Sequence, residues 1–560
     1  MVRLALPLQG DVRLTGSFNA RLTGSTARVH ALLPFRTNKF AGFSSGLFAK
    51  LFRRSSTDWR AKTHSGSGAA GRVVGSASAG VRTYSSPPKG ASVRSGPRVC
   101  ILGGGFGGLY TAVRLEALLW PRGTKPQVTL IDKNDRFVFK PLLYELINGA
   151  ASVEEVAPPF QELLAPYAVN FIQGSVQSVV ESPSTSAGSS GSGQVVLTSG
   201  EAVQYDWLVM ALGAESSTFG IPGVKELALP FCTYSDAVKM VQELERLEQS
   251  PGLAEVVVVG AGYAGVELAT TVAERLMGKG RVKIITAAPD ILDGTPSGQR
   301  EAARRMLIEK RIDIITDVLV KSVRQQETSE VAAGLGVDKR HITLNLPGGQ
   351  QQVLPADLVL WTAGSGPATA TSTQRKLTLP FPATKQGALR TDPTLRVVGH
   401  ARVFALGDVA SSEGEQLATE HLPATAQVAF QQADYVAWNL WAAINNRPLL
   451  PFKYQHLGDM MSLGRVNGAV TLPLPIPRPV STALQSGPLG PLLSLAGIRL
   501  NQDDSDKGVT LQGPLAGVLR RAAYWYRQPT NEQRLRVGAS WLQQALDQTN
   551  AAARRATSGK

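Results

Sequence analysis

The sequence predicts an α/β chain of two parallel-sheet modules, the second inserted in the first, followed by a helical C-terminal region. Three observations predict it. Two glycine fingerprints, Gly103-Gly104-Gly105-Phe106-Gly107-Gly108 and Gly260-Ala261-Gly262-Tyr263-Ala264-Gly265, each stand between an apolar β-branched run and a helical pattern. The runs Asp206 to Ala214 and Asp357 to Gly364 are near copies of each other, and each closes one module. A later run, Arg402-Val403-Phe404-Ala405-Leu406-Gly407-Asp408, brings the chain back to the first module.

The first 95 of the 560 residues read as a leader. They hold fifteen Lys and Arg against Asp11 and Asp58, so most of the net charge of +15 resides there and the rest is nearly neutral. That removes the charge argument for a nucleic-acid partner. Rich in Arg, Ser, Gly and Ala, with no long apolar core, the leader reads as an organelle transit peptide, the alternative being a basic tail that stays on. Arg82-Thr83-Tyr84-Ser85 resembles a mitochondrial processing site, and the Ser-rich flank suits a plastid equally well.

The first module, residues 96–225, opens with Val99 to Leu102 as a buried strand. Gly103, Gly105, Gly107 and Gly108 then let the backbone approach a pyrophosphate at the start of the next helix. Val128 to Ile131 ends at Asp132, placed to take the ribose hydroxyls of an adenosine. The second module, 226–365, repeats this with Val256 to Val259, then Gly260, Gly262 and Gly265. Its second strand runs into Thr286-Ala287-Ala288 with no acid, so NADPH is tolerated alongside NADH. Residues 366–455 return to the first module, where Asp408 is placed to bind a ribityl hydroxyl of a flavin. Both modules are thus Rossmann-like dinucleotide-binding domains.

Residues 456–560 form the C-terminal region. Pro473 to Asp506 is Pro-rich, then acidic, and reads as a surface insertion; Ser182 to Gly193 is a Ser/Gly loop. Leu515, Val518, Leu519, Ala522, Trp525 and Tyr526 form an apolar stripe at helical spacing beside Arg520, Arg521 and Arg527. A second stretch continues through Arg534, Arg536, Trp541 and Leu542. No run reaches the roughly 20 apolar residues that span a bilayer, so the stripe suits a peripheral anchor on anionic lipid. A helix packed on the protein, or on a partner in a homodimer, uses the same stripe. Cys100 and Cys232 are the sole cysteines, so no disulfide framework, CxxC pair or metal cluster is expected.

These residues resemble the two-dinucleotide-binding flavoprotein superfamily, over roughly residues 97 to 450. The resemblance implies FAD in the first domain, NADPH or NADH in the inserted second, and hydride transfer between them. It adds Phe106, Lys140, Ala211, Gly213 and Ala426 to the residues around FAD, and Tyr263, Thr286 and Gly364 around the nicotinamide nucleotide. Phe137 to Leu146 carries no CxxxxC pair, which sets aside disulfide reductases. Leu422 to Gln432 resembles the AQxAxQ motif of type II NAD(P)H:quinone oxidoreductases, so Gln427 and Gln431, on one helix face, are implied to meet a quinone headgroup. Glu267, just past the second fingerprint, is implied to bond the nicotinamide carboxamide or ribose, the alternative being a helix-dipole role.

Within that family the segments Arg98 to Gly108, Arg136 to Pro141, Tyr205 to Val209 and Trp441 to Phe452 look closest to the plant and algal C-type branch. That branch implies a prenylquinone acceptor (a plastoquinone or ubiquinone type, or a demethylated naphthoquinone). It also implies the chloroplast, on thylakoid or lipid-globule surfaces, with dual targeting to the mitochondrial inner membrane. No DxDxDG loop is present, so calcium control is not expected. Two other readings stay open: a soluble flavin reductase passing single electrons to a protein or monodehydroascorbate, and a flavoprotein whose redox state gates binding to a partner.

Overall fold

The computed structural model describes residues 96–182, 192–325, 339–370, 377–412, 422–474, 478–488, 490–495, 497–500 and 508–558. The expected leader, the interior of the Ser182–Gly193 loop and parts of the Pro473–Asp506 insertion lie outside the described residues.

Strand β1 (Arg98–Leu102) buries its last four residues, as a continuous apolar run does in a parallel sheet covered on both faces. The glycine loop opens α1 (Phe106–Ala117), and β2 (Gln127–Asp132) lies parallel to β1 with Leu102 opposite Ile131. There follow a short helix α2 (Leu143–Ile147), β3 (Val169–Gln173), and an antiparallel sheet of β4 (Val176–Glu181), β5 (Gly193–Leu197) and β6 (Ala202–Tyr205). Strand β7 (Trp207–Met210) then lies on the other side of β1.

The second module repeats this plan. After α3 (Tyr234–Gln249), β8 (Ala254–Val259) leads through the second loop into α4 (Tyr263–Leu276) and β9 (Gly280–Ile285), with Val259 opposite Ile285. Helix α5 (Ser297–Glu309), β10 (Asp313–Ile315), the antiparallel β11 (Leu319–Gln325), β12 (Arg340–Asn345) and β13 (Gln351–Ala356), and β14 (Leu358–Trp361) complete it. The chain then returns, and β15 (Val403–Ala405) pairs with β7. The first sheet therefore runs β3-β2-β1-β7-β15, and the second β10-β9-β8-β14 with the short strand Leu229–Pro230 at its edge. Both orders reverse beside β1 or β8, where doubly wound sheets bind ligands. The Asp that opens each of the two near-copy strands ties it to the neighbouring strand in the same way. Asp206 accepts from the Arg98 amide at 2.8 Å and Asp357 from the Glu255 amide at 2.8 Å.

Helix α6 (Ala426–Ile444) packs along α1, with Arg114 paired to Asp434 at 2.6 Å. Beyond it the structure departs from the expected helical region, because β16 (Asp459–Leu463) and β17 (Asn467–Leu472) come first. Their apolar residues Met461, Leu463, Ala469 and Val470 are buried as strand positions, and the buried Ser462 is satisfied by hydrogen bonds to Glu267 and Gly464. Then come α7 (Arg478–Ser486), α8 (Gly490–Leu495), β18 (Ile498–Leu500), β19 (Val509–Gly513), α9 (Pro514–Tyr526) and α10 (Asn531–Ser558). The four strands form one antiparallel sheet ordered β16-β17-β19-β18.

Helix α9 lies directly on this sheet because Ala516 and Gly517 are small; a Cβ on Gly517 would stand 2.1 Å from the Val466 carbonyl oxygen. The expected stripe faces outward: Leu515 is 50%, Val518 64% and Tyr526 62% exposed, whereas Arg520 is 2% exposed. No helix of the described residues is long and apolar enough to cross a membrane.

Candidate functional site

Gly103 (φ +99°) and Gly260 (φ +105°) turn in the left-handed region, and a Cβ on Gly103 would stand 2.3 Å from the Ala211 carbonyl oxygen. Gly105 and Gly262 cap α1 and α4 with no side-chain hydrogen bond, and a Cβ on either would meet nothing within 4 Å. This leaves open space over unpaired amides at a helix start, the shape and polarity that a pyrophosphate needs. Behind each loop, a Cβ on Gly108 or Gly265 would stand 1.8 Å from the carbonyl oxygen of Gly103 or Gly260, so helix and strand pack at backbone distance; Gly107 lies against Leu406.

Asp132 stands at the end of β2. Its Oδ2 accepts the Gly104 amide at 2.6 Å and its Oδ1 the Asn134 amide at 2.8 Å, so it braces the loop while staying partly exposed. Burial pushes its carboxyl up, against these two amides. Since Leu102 faces Ile131 and Val259 faces Ile285, Thr286 occupies the register position of Asp132 in the second module. Thr286 Oγ1 accepts the Ala288 amide at 3.2 Å.

Asp408 lies in a single 3-10 turn after β15, fixed by the Gly407 amide donating to Gln432 Oε1 at 2.6 Å. Burial pushes its carboxyl up and the Lys140 charge pulls it down. Among the described residues Asp408 accepts no hydrogen bond, and its oxygens are not sealed from solvent, so it fits a hydroxyl-bearing ligand. Ala211 is buried beside the first loop, its amide donating to Leu102 at 2.8 Å, and a Cβ on Gly213 would meet open space. Phe106 turns into an aromatic cluster with Phe137 and Phe139, centroids 5.3 Å away. Ala426 begins α6, which Thr425 caps through the Val428 amide. Tyr263 begins α4, and Gly364 (φ +73°) lies against the Phe219 ring.

Gln427 and Gln431 clamp a neighbouring segment. Gln431 donates to the Gln455 carbonyl at 2.8 Å and accepts the Gln455 amide at 3.0 Å. Gln427 donates to the Gly458 carbonyl at 3.0 Å while its Oε1 accepts the Leu457 amide at 2.9 Å and the Tyr454 hydroxyl at 2.7 Å. Each amide keeps one N–H for a further acceptor.

Glu267 is buried where three regions meet. Its Oε1 accepts the Ser462 amide of β16 at 2.7 Å, and it bonds the Tyr144 hydroxyl of α2. Burial pushes its carboxyl up to about 7, opposed by the Ser462 amide, the Arg520 charge and Tyr144. The described structure thus gives it protein partners. Sequence reasoning missed those partners, and also Gln432, Tyr454 and Glu145, which holds Arg520 at 2.7 Å. The available signal was the arginine pair set into an apolar helix.

Among the described residues no group of three or more His, Cys, Asp or Glu could hold a metal ion. Cys100 is buried in β1, which pushes its thiol up to about 12, and Cys232 contacts Ser216 Oγ at 2.9 Å.

Two glycine cradles on two like sheets, with a carboxylate on the return to the first, define a flavoprotein that works with a nicotinamide nucleotide. Residues 97–433 match the family described as pyridine nucleotide-disulphide oxidoreductase. The chain is 42% identical over 471 residues to the alternative NAD(P)H-ubiquinone oxidoreductase C1, chloroplastic/mitochondrial, of Arabidopsis thaliana, covering 82% of each. It is 39% identical to the demethylphylloquinone reductase NdbB of a Synechocystis strain, over 80% of this chain and 96% of that one. The fold resembles NDH2 of Plasmodium falciparum in complex with NADH, with a TM-score of 0.58 at 17% identity, covering 80% of this chain and 97% of that one. The chain belongs to the pyridine nucleotide-disulphide oxidoreductase family, within its type II NAD(P)H:quinone oxidoreductase branch.

Proposed function

We propose that this protein is a peripheral membrane enzyme that oxidises NAD(P)H and reduces a prenylquinone by two electrons, with FAD between them. The observation that carries it is the pairing of two open glycine cradles with the unpartnered Asp408 beside the start of α6. Gly103, Gly105, Gly107, Gly108, Asp132 and Asp408 would hold FAD, with Lys140 supplying charge near Asp408; Gly260, Gly262, Gly265 and Thr286 would hold the nucleotide. When bound, FAD supplies the two-electron acceptor and donor that no side chain can provide. The protein's own groups position and exclude. Gln427 and Gln431 fix the segment Tyr454 to Gly458 and keep one N–H each for a quinone carbonyl, a contact that adds no charge to an apolar pocket.

Attachment to a membrane fits the outward stripe of α9, since Leu515, Val518, Trp525 and Tyr526 stay 50%, 64%, 40% and 62% exposed. The leader's composition and the chloroplastic/mitochondrial relative support a plastid surface with mitochondrial dual targeting. The experiment is turnover of the FAD-loaded protein with NADH and NADPH, using a short-chain plastoquinone analogue against oxygen and ferricyanide. Fast quinone-dependent turnover is expected. Flavin reduction with no quinone turnover would move the reading to a single-electron or binding role.

A further inference from the structure

Quinone reduction needs one proton that the nucleotide does not bring. NAD(P)H delivers two electrons and a single proton as hydride, whereas a quinol has gained two of each, so every turnover takes one proton from water. The group that passes it on has to reach the quinone and be refilled from solvent. Glu267 fails the second condition, since it is 7% exposed and carries the Ser462 amide and the Tyr144 hydroxyl. Of the described histidines, His341 lies on β12 in the nucleotide module and His400 pairs with Glu181 at 2.9 Å. His456 alone belongs to the segment that Gln427 and Gln431 clamp.

That segment, between α6 and β16, brings four polar side chains into line. Asp459 Oδ2 stands 3.4 Å from His456 Nε2, and His456 Nδ1 stands 3.4 Å from the Tyr454 hydroxyl, which donates to Gln427 Oε1 at 2.7 Å. Because the hydroxyl proton points at Gln427, the Tyr454 oxygen is left to accept from Nδ1. An imidazolium donates from both ring nitrogens, so the charged form of His456 suits both neighbours, Tyr454 on one side and the Asp459 carboxylate on the other. The outer end of the line is open to water, the His456 side chain being 46% exposed. Its inner end is the Gln427 amide, whose second N–H is kept for a quinone carbonyl. Burial pushes the Tyr454 hydroxyl up and the Asp459 charge adds to it, so Tyr454 keeps its proton until an acceptor arrives.

We propose that His456 and Tyr454 form the proton route to the quinone. Tyr454 gives its hydroxyl proton to the quinone oxygen held by Gln427, and His456 replaces it from Nδ1. His456 then regains a proton from water, and Asp459 offsets the positive charge that the ring carries. The O–H bond broken at Tyr454 is matched by the one formed on the quinone, and the electrons are those of NAD(P)H. This rests on the quinone-reductase reading above and deepens it. Gln427 seats Tyr454 on its oxygen and the quinone on its nitrogen, so the hydroxyl reaches the carbonyl by turning about its C–O bond, directly or across one water. Imidazole is the side chain that both gives and takes a proton near neutral pH.

The test uses the full-length FAD-loaded protein with saturating NADPH or NADH, and compares a short-chain plastoquinone analogue with ferricyanide, which takes electrons without protons. For His456→Gln and His456→Ala the ratio of quinone to ferricyanide turnover is expected to fall roughly 100-fold, as for loss of a general acid. The solvent isotope effect on quinone turnover in heavy water is expected to rise above the parent's, because proton transfer then limits the rate. Added imidazole is expected to restore His456→Ala in a saturable way, and to leave the Tyr454→Phe/His456→Ala double variant unrestored. An unchanged turnover ratio in both single variants overturns the proposal and leaves the quinone-reductase reading standing. A loss with neither imidazole rescue nor a raised isotope effect also overturns it, assigning His456 to the shape of the segment. Rescue that persists in the double variant overturns the route through Tyr454. A parent protein that reduces ferricyanide but no quinone sinks the reading on which the proposal rests.

Discussion

Arg520 donates from Nη2 to Oε1 of Glu145 at 2.7 Å, across 375 residues of sequence, and both side chains are almost fully buried. Arg521 takes the other carboxylate oxygen at 2.8 Å. An amphipathic helix normally turns its charges to solvent; α9 turns them to the protein and its leucines out. Removing the carboxylate strands a buried guanidinium, which costs about 3–5 kcal/mol when one partner of such a pair is lost. Glu145→Gln is therefore expected to lower the melting temperature sharply and to release α9 to proteases. Glu145→Leu with Arg520→Met is expected to recover most of the loss, because an apolar pair of similar volume removes the stranded charge. A single variant as stable as the parent would show that the pair does not hold the helix.

Glu267 sets a pH dependence with a definite sign. Its carboxyl stands at about 7 in the fold against 4.5 unfolded, so between those values the folded state binds more protons. Stability is then greatest below the unfolded value and falls as pH rises from about 4.5 through 7, by at most about 3 kcal/mol. Glu267→Gln cannot ionise, so its unfolding midpoint, measured in buffers from pH 5 to pH 8, is expected to decline less over that window. Parallel curves for the two proteins would show that burial does not raise this carboxyl.

The parts of the molecule legible in the sequence are those where a local pattern carries the physics. Val99 to Leu102 and Val256 to Val259 read as strands because both faces are covered, and the fingerprint glycines read as turns because backbone must pass backbone. What stayed hidden is long-range. Gln427 and Gln431 share a helix face by their spacing and are implied to meet a quinone only by the motif they resemble, while their partners Tyr454, Gln455, Leu457 and Gly458 lie on an irregular segment with no periodic signal. Glu267 was visible as a residue beside the loop, but Ser462 and Tyr144 reach it from other domains. The stripe on α9 was visible in register; which way it faces depends on Ala516 and Gly517 seating the helix on β17.

Tyr454 separates clamping from direct contact at the glutamine site. Its hydroxyl donates to Gln427 at 2.7 Å, and Tyr454→Phe deletes that bond together with a longer contact to His456 Nδ1 at 3.4 Å. One neutral hydrogen bond contributes about 1 kcal/mol, so the KM for quinone is expected to rise roughly fivefold with little change in ferricyanide reduction. Gln431→Leu removes both bonds to Gln455 together with the remaining N–H, and a larger loss confined to quinone turnover is expected. Equal losses with quinone and ferricyanide for Gln431→Leu would mean that the helix serves the flavin region in general and not the quinone.

Thr286 decides how the second module treats a 2′-phosphate. It stands at the register position that Asp132 fills in the first module, and a carboxylate there would face the ribose edge of the nucleotide. Thr286→Asp keeps a side-chain oxygen for the Ala288 amide, which the native hydroxyl accepts at 3.2 Å, so the turn should fold unchanged. Like charges brought together at a binding site cost several kcal/mol. The kcat/KM for NADPH is expected to fall roughly 100-fold while that for NADH holds or improves, because the new carboxylate accepts both ribose hydroxyls. Steady-state kinetics with each nucleotide and a saturating quinone analogue measure this. If NADH and NADPH were weakened equally, the loop after β9 would not be reading the ribose, and selection between the two nucleotides would have to come from another part of the cradle.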